Sequence, residues 1–103
     1  MMSAQPKPLD RAAQVLTLET LNEVNRNLSF NRFGMNILDR WAMNQPDELK
    51  ALEAQSQTLL LIRLYGQQLK EQAILESQES QEQLKGGLMP HEILNLHELT
   101  TSL

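Results

Sequence analysis

Apolar residues recur three and four positions apart along most of this chain, the period of a helix with one buried face. The first such set is Ala13, Leu16, Leu21, Val24 and Leu28, with Val15 and Leu18 widening the face. It predicts an amphipathic helix over about 10–28, with Asp10 as its N-cap. Phe30, Phe33, Ile37 and Trp41 continue at helical spacing with Leu38 beside them, and predict a second helix over about 30–43. A bend or short break precedes it, because Ser29 can cap a new helix while Asn25, Asn27 and Asn31 weaken the old one. Phe30, Phe33 and Trp41 hold most of the aromatic area and are expected to anchor the core. Gly34 either admits a close neighbour or costs the helix about 1 kcal/mol.

The sharpest boundary is Asn44-Gln45-Pro46-Asp47-Glu48. A proline suits the first helical turn, and the two acids after it meet the positive end of the helix dipole. So short a link predicts an antiparallel helical hairpin. From there to residue 85 the chain is rich in Leu, Ala, Gln, Glu and Lys, with no further proline and one glycine, Gly66. One unbroken helix over 46–85 would be roughly 60 Å long, against a radius of gyration near 13 Å for a domain of about 100 residues. Such a helix must break, project, or be clad by a second chain.

Within this span the expected helix covers about 46–80, with residues 59–65 apolar on nearly every side except Arg63. A helix apolar all round needs several neighbours. In heptad terms Leu59, Gly66 and Ala73 share one position, Ile62 and Leu69 another, and Gly66 with Ala73 would permit a close crossing. The expected interface is therefore Leu59, Ile62, Arg63, Gly66, Leu69 and Ala73, completed by homodimerisation. Arg63 would either lay its stem on the core with its head in water, or pair with a carboxylate across the interface. Residues 76–83 contain no apolar side chain and should face water, leading to a Gly86-Gly87 hinge. A short amphipathic helix follows, either the domain's own closing helix or, through Ile93, Leu96 and Leu99, a candidate partner-docking segment.

The expectation is thus an all-α fold: a flexible arm over 1–8, a helical domain over 9–85, and a hinge with a short helix over 86–103. Composition agrees, since leucine dominates the apolar residues while aromatics and β-branched residues are few. The absence of cysteine excludes disulfides and thiolate chemistry. No signal-peptide pattern opens the chain, and no apolar run reaches the ~20 residues that span a bilayer. A soluble cytoplasmic protein without membrane contact is the expectation.

Charge and motifs narrow the function. The net charge is −4, with five basic and four acidic side chains in residues 1–45 and four basic and nine acidic in 46–103. An acidic second half opposes wrapping by nucleic acid. His91-Glu92-Ile93-Leu94-Asn95 lacks the second histidine of the zinc-protease pattern, and His97 lies nearly opposite His91 on a helix. Neither a nucleophile elbow nor a phosphate-binding glycine loop is present, so neither an enzyme nor a cofactor is expected. The sequence favours a non-enzymatic helical interaction module: an adaptor, chaperone-like or regulatory protein. The alternative is a small DNA- or RNA-binding regulator using Arg26, Arg32 and Arg40 on the Arg/Asn-rich face of residues 22–40.

Overall fold

A computed structural model describes residues 8–103; of the expected arm only Pro8 falls within them. The described residues are all-helical, with a short 3-10 turn at Ala12–Gln14 and six α-helices. These are α1 (Leu18–Arg26), α2 (Arg32–Asn44), α3 (Pro46–Gln55), α4 (Gln57–Leu75), α5 (Gln78–Lys85) and α6 (Pro90–Leu96). Helix α4 is central, packing against α2, α3, α5 and α6.

The length conflict over 46–85 is resolved by breaking the helix twice, at Ser56 and at Glu76-Ser77. Each break is made by a serine. Ser56 takes an extended backbone and its hydroxyl accepts the Leu59 N–H, starting α4 afresh. Ser77 does the same for the Ser80 N–H at α5, and donates to the Ile74 carbonyl. Helix α4 runs unbroken through Gly66. Residues 76–83 are only partly water-facing, because Ser80 is fully buried on α5.

The expected first helix is shorter than its apolar pattern. Asp10 does not cap it; Thr17 does, accepting the Thr20 N–H. The preceding turn is held instead from α2, where the two carboxylate oxygens of Asp39 accept the Leu9 and Ala12 N–H groups, each at 2.9 Å. That clamp keeps Leu9 buried with a positive φ of 67°. The helix ends at Arg26, so Leu28, expected on its apolar face, is left in solvent. The junction at Pro46 stands as expected, with Gln45 the single residue between α2 and α3.

Two apolar clusters form. The larger joins Leu9, Leu16, Val24, Phe30, Ile37, Leu38, Trp41, Leu49, Leu60 and Leu64. The smaller joins Leu75, Ile93 and Leu94, with Phe33, Ile74, Leu84, Leu88 and Leu99 packed against it. Phe30 and Trp41 are thus buried anchors, with Phe30 edge-on to Tyr65 at 6.1 Å, while Phe33 serves the smaller cluster half-buried. The second cluster is closed by Gly86-Gly87: the Gly87 and Leu88 N–H groups donate to the Leu84 and Gln83 carbonyls. This is a Schellman end, and Gly87 at φ 104° takes its left-handed position.

Gly34 admits a close neighbour. A methyl group there would overlap Gln68 Oε1 and crowd Phe30. Gln68 cannot swing aside cheaply, because it is buried and bonded at both ends to residues 29 and 31. Gly34→Ala should therefore destabilise the protein by about 2 kcal/mol in chemical denaturation, despite a helix-propensity gain of about 1 kcal/mol.

Glu53 ties α3 to the start of α1, with Oε2 accepting both the Thr17 N–H and the Thr17 hydroxyl at 2.9 Å. Burial pushes its carboxyl up. Hydrogen bonds from the Thr20 hydroxyl and the Thr17 amide and hydroxyl outweigh that and hold it below its ordinary value of 4.5. The folded state thus favours the carboxylate, and this contribution is complete above 4.5 and is lost as pH falls through the lower folded-state value. Glu53→Gln should cost about 1 kcal/mol near neutral pH. Its deficit relative to wild type should shrink in acid denaturation profiles and vanish below the folded-state value.

Candidate functional site

The buried face of α4 reads Leu60, Leu64, Gln67, Gln68, Glu71 and Leu75, each three or four residues from the next turn's member. Its two ends belong to the two apolar clusters. Its middle is polar. Glu71 is 3% exposed, and a carboxylate so placed is tolerated only when paired and hydrogen-bonded. Arg40 of α2 supplies a forked contact, Nη1 to Oε1 at 3.1 Å and Nη2 to Oε2 at 2.6 Å. Gln67 Nε2 donates to the same Oε2 at 2.8 Å. One turn away, Gln68 Nε2 donates to the Ser29 carbonyl and its Oε1 accepts the Asn31 N–H. Asn31 in turn caps α2 through the Phe33 N–H and donates from Nδ2 to Gln72. This polar layer fixes where α2 crosses α4.

The same side chains hold the irregular segment after α6. Gln67 Nε2 donates to the Thr100 carbonyl at 2.8 Å. The Thr101 carbonyl accepts from Arg40 Nη2 at 2.7 Å and from the Trp41 indole N–H at 3.0 Å. Arg63 Nη2 donates to the Ser102 carbonyl at 3.0 Å, and the Leu103 N–H donates to Gln45 Oε1 at 2.6 Å. Three consecutive carbonyls and the next amide are thus read by side chains of α2, α4 and the Gln45 link.

Within the chain Arg63 has partners that the sequence did not suggest. Its guanidinium lies 5.0 Å from the centre of the Trp41 ring and donates from Nη1 to Gln67 Oε1 at 2.8 Å. Its head thus meets an aromatic face, an amide and a carbonyl of its own chain.

The other expected interface residues lie on the opposite face of α4. Ile62 is 63% exposed, Leu69 49% and Leu59 44%, with Tyr65 and Ala73 also turned outward. Gly66 is half-buried, and a methyl group on it would meet nothing within 4 Å. The heptad reading expected a second chain on this stripe; the buried face within the chain runs along residues 60, 64, 67, 68, 71 and 75. Beside the stripe an apolar cleft of about 580 Å3 separates α3 from α4, lined by Ala51, Leu52, Leu59, Ile62 and Arg63, with Leu103 among its walls.

Of the expected docking segment, Ile93 is buried and Leu99 half-buried in the chain's own smaller cluster, while Leu96 points outward. The arginines of the nucleic-acid reading have three different settings. Arg26 pairs with Glu23 on α1, Arg32 is exposed in the first turn of α2, and Arg40 is committed to Glu71. The aromatics near them are part of the two clusters.

A second cleft of about 370 Å3 lies between α2, α4 and α6, walled by Phe33, Asn36, Arg40, Glu71, Leu94 and the exposed His91. Among the described residues no three His, Asp or Glu side chains are grouped as ligands for a metal, and no helix is long and apolar enough to cross a membrane. Neither the Arg40–Glu71 layer nor its hold on residues 100–103 was visible in the spacing of residues. The signal present was the Gln67-Gln68 pair and Glu71 falling in phase with Leu60, Leu64 and Leu75. No protein-family model, curated protein or solved structure matches the chain.

Proposed function

We propose that the protein is a non-enzymatic helical interaction module, an adaptor, chaperone-like or regulatory protein, that self-associates through the outer face of α4. The observation that carries this reading is the exposed stripe of Leu59, Ile62, Tyr65 and Leu69. These residues follow one another at helical spacing over about 15 Å of α4, beside the apolar cleft shared with α3. The inner face of α4 has its partners within the chain, so the outer stripe is surplus to folding the monomer. A contiguous apolar patch of this kind on a small protein marks a contact surface. A second copy is the favoured occupant because a helix stripe with Gly66 at its middle is self-complementary across a two-fold axis. Gly66 leaves room at that point for a second backbone.

Light scattering coupled to size exclusion should give twice the 11.8 kDa chain mass at micromolar concentration. Ile62→Glu should return the chain mass with an unchanged helical circular dichroism spectrum. A wild type that stays at the chain mass would remove self-association from the reading.

A further inference from the structure

The contacts to residues 100–103 are of an unusual kind. Every hydrogen bond that the helices make to this segment goes to its main chain, at the Thr100, Thr101 and Ser102 carbonyls and the Leu103 amide. Among the described residues the hydroxyls of Thr100, Thr101 and Ser102 find no hydrogen-bond partner, and Thr100 and Ser102 are exposed. The one side chain that the slot engages by shape is Leu103, which packs against the larger cluster where the α3–α4 cleft begins. This is how a protein holds a peptide whose sequence matters little until an apolar anchor.

The slot is also built independently of what fills it. Arg40 is oriented by Glu71, Gln67 by Glu71 and Arg63, and Arg63 by the Trp41 ring. All five side chains stand on α2 and α4, whose packing is fixed elsewhere by Gln68 at Gly34. With the segment lifted away, the donors would remain aimed at the same places. The segment has no regular secondary structure of its own and, among the described residues, makes no backbone-to-backbone hydrogen bond.

We propose that the slot between α2 and α4 is a receptor for a non-helical peptide segment, and that residues 100–103 are its resident, displaceable occupant. The partner is a protein segment presenting three consecutive free carbonyls followed by an aliphatic side chain. Its anchor end adjoins the outer stripe of α4, since Leu59, Ile62 and Leu103 line one cleft, but its donors Arg40, Trp41 and Gln67 lie on other faces, so it stands whether or not the chain self-associates. Because the resident segment is tethered, it competes at the high effective concentration of an intramolecular ligand, so the slot is closed until a competitor is abundant or the anchor is weakened.

The test uses the full-length chain and a fluorescein-labelled, amidated peptide with the sequence of residues 97–103. In wild type the peptide competes against the resident segment. In Leu103→Gly, which removes only the apolar anchor, it should bind about tenfold more tightly by anisotropy. Adding Arg63→Ala to that variant should remove the gain. A peptide with both threonines changed to valine should bind like the original, and one with its last leucine, at the position of Leu103, changed to aspartate should not bind. Hydrogen exchange of wild type supplies a second arm, with the Leu103 amide expected to open far more readily than amides of α4. Absence of peptide binding to folded Leu103→Gly overturns the proposal. So does a Leu103→Gly chain that does not fold, or a Leu103 amide that exchanges only with α4, since the segment would then be a structural staple.

Discussion

A carboxylate buried in the middle of a 103-residue chain sets the terms for everything around it. Glu71 has surrendered its water, and removing a single partner from a buried pair leaves a charge uncompensated at a cost of about 3–5 kcal/mol. Its partner must come from another helix, so α2 crosses α4 where Arg40 can reach both oxygens. Arg40 and Gln67 in turn have donors left over, and these draw in the carbonyls of residues 100 and 101. The pair adds little net energy against an apolar substitute of the same size. What it supplies is a single geometry for three parts of the chain that are more than 25 residues apart, the use of buried ion pairs for register.

The apolar clusters explain stability where the polar layer explains position. Each cluster alone is small, and they lie on either side of the Gln67–Glu71 layer along α4. The larger takes its mass from α2 and the links around it, with Trp41 and Phe30 as the bulkiest members. The smaller exists only because α5 and the Gly87 turn bring α6 back onto α4. The chain thereby folds to a radius of gyration of 14.3 Å, where the uninterrupted rod over 46–85 would not have fitted.

Much of this was legible in the sequence, and what was missed has physical reasons. The Pro46 junction is local chemistry, a fixed φ and a missing donor, so it could be read directly. The aromatic stripe of α2 was likewise visible because its period is local. Ser56 and Ser77 look like ordinary polar positions within a helix-forming stretch. Whether a serine caps or merely faces water depends on packing that demands a turn there. The buried face of α4 escaped notice because Gln67, Gln68 and Glu71 are polar, while the groups that satisfy them lie about 30 to 40 residues away. The same distance hid the role of Arg40, which the nucleic-acid alternative needed free and whose guanidinium is spent on Glu71 and Thr101. The outer stripe of α4 was read correctly as a stripe because exposure does not alter its spacing.

The Arg40–Glu71 pair acts as one unit that holds α2 against α4 and so forms the seat of the segment after α6. A double-mutant cycle with Arg40→Met and Glu71→Met, followed by urea denaturation, measures this directly. Each single change should destabilise the chain by about 3 kcal/mol, and the double change should recover most of that loss, giving a coupling above about 2 kcal/mol. Single changes whose costs simply add would contradict it.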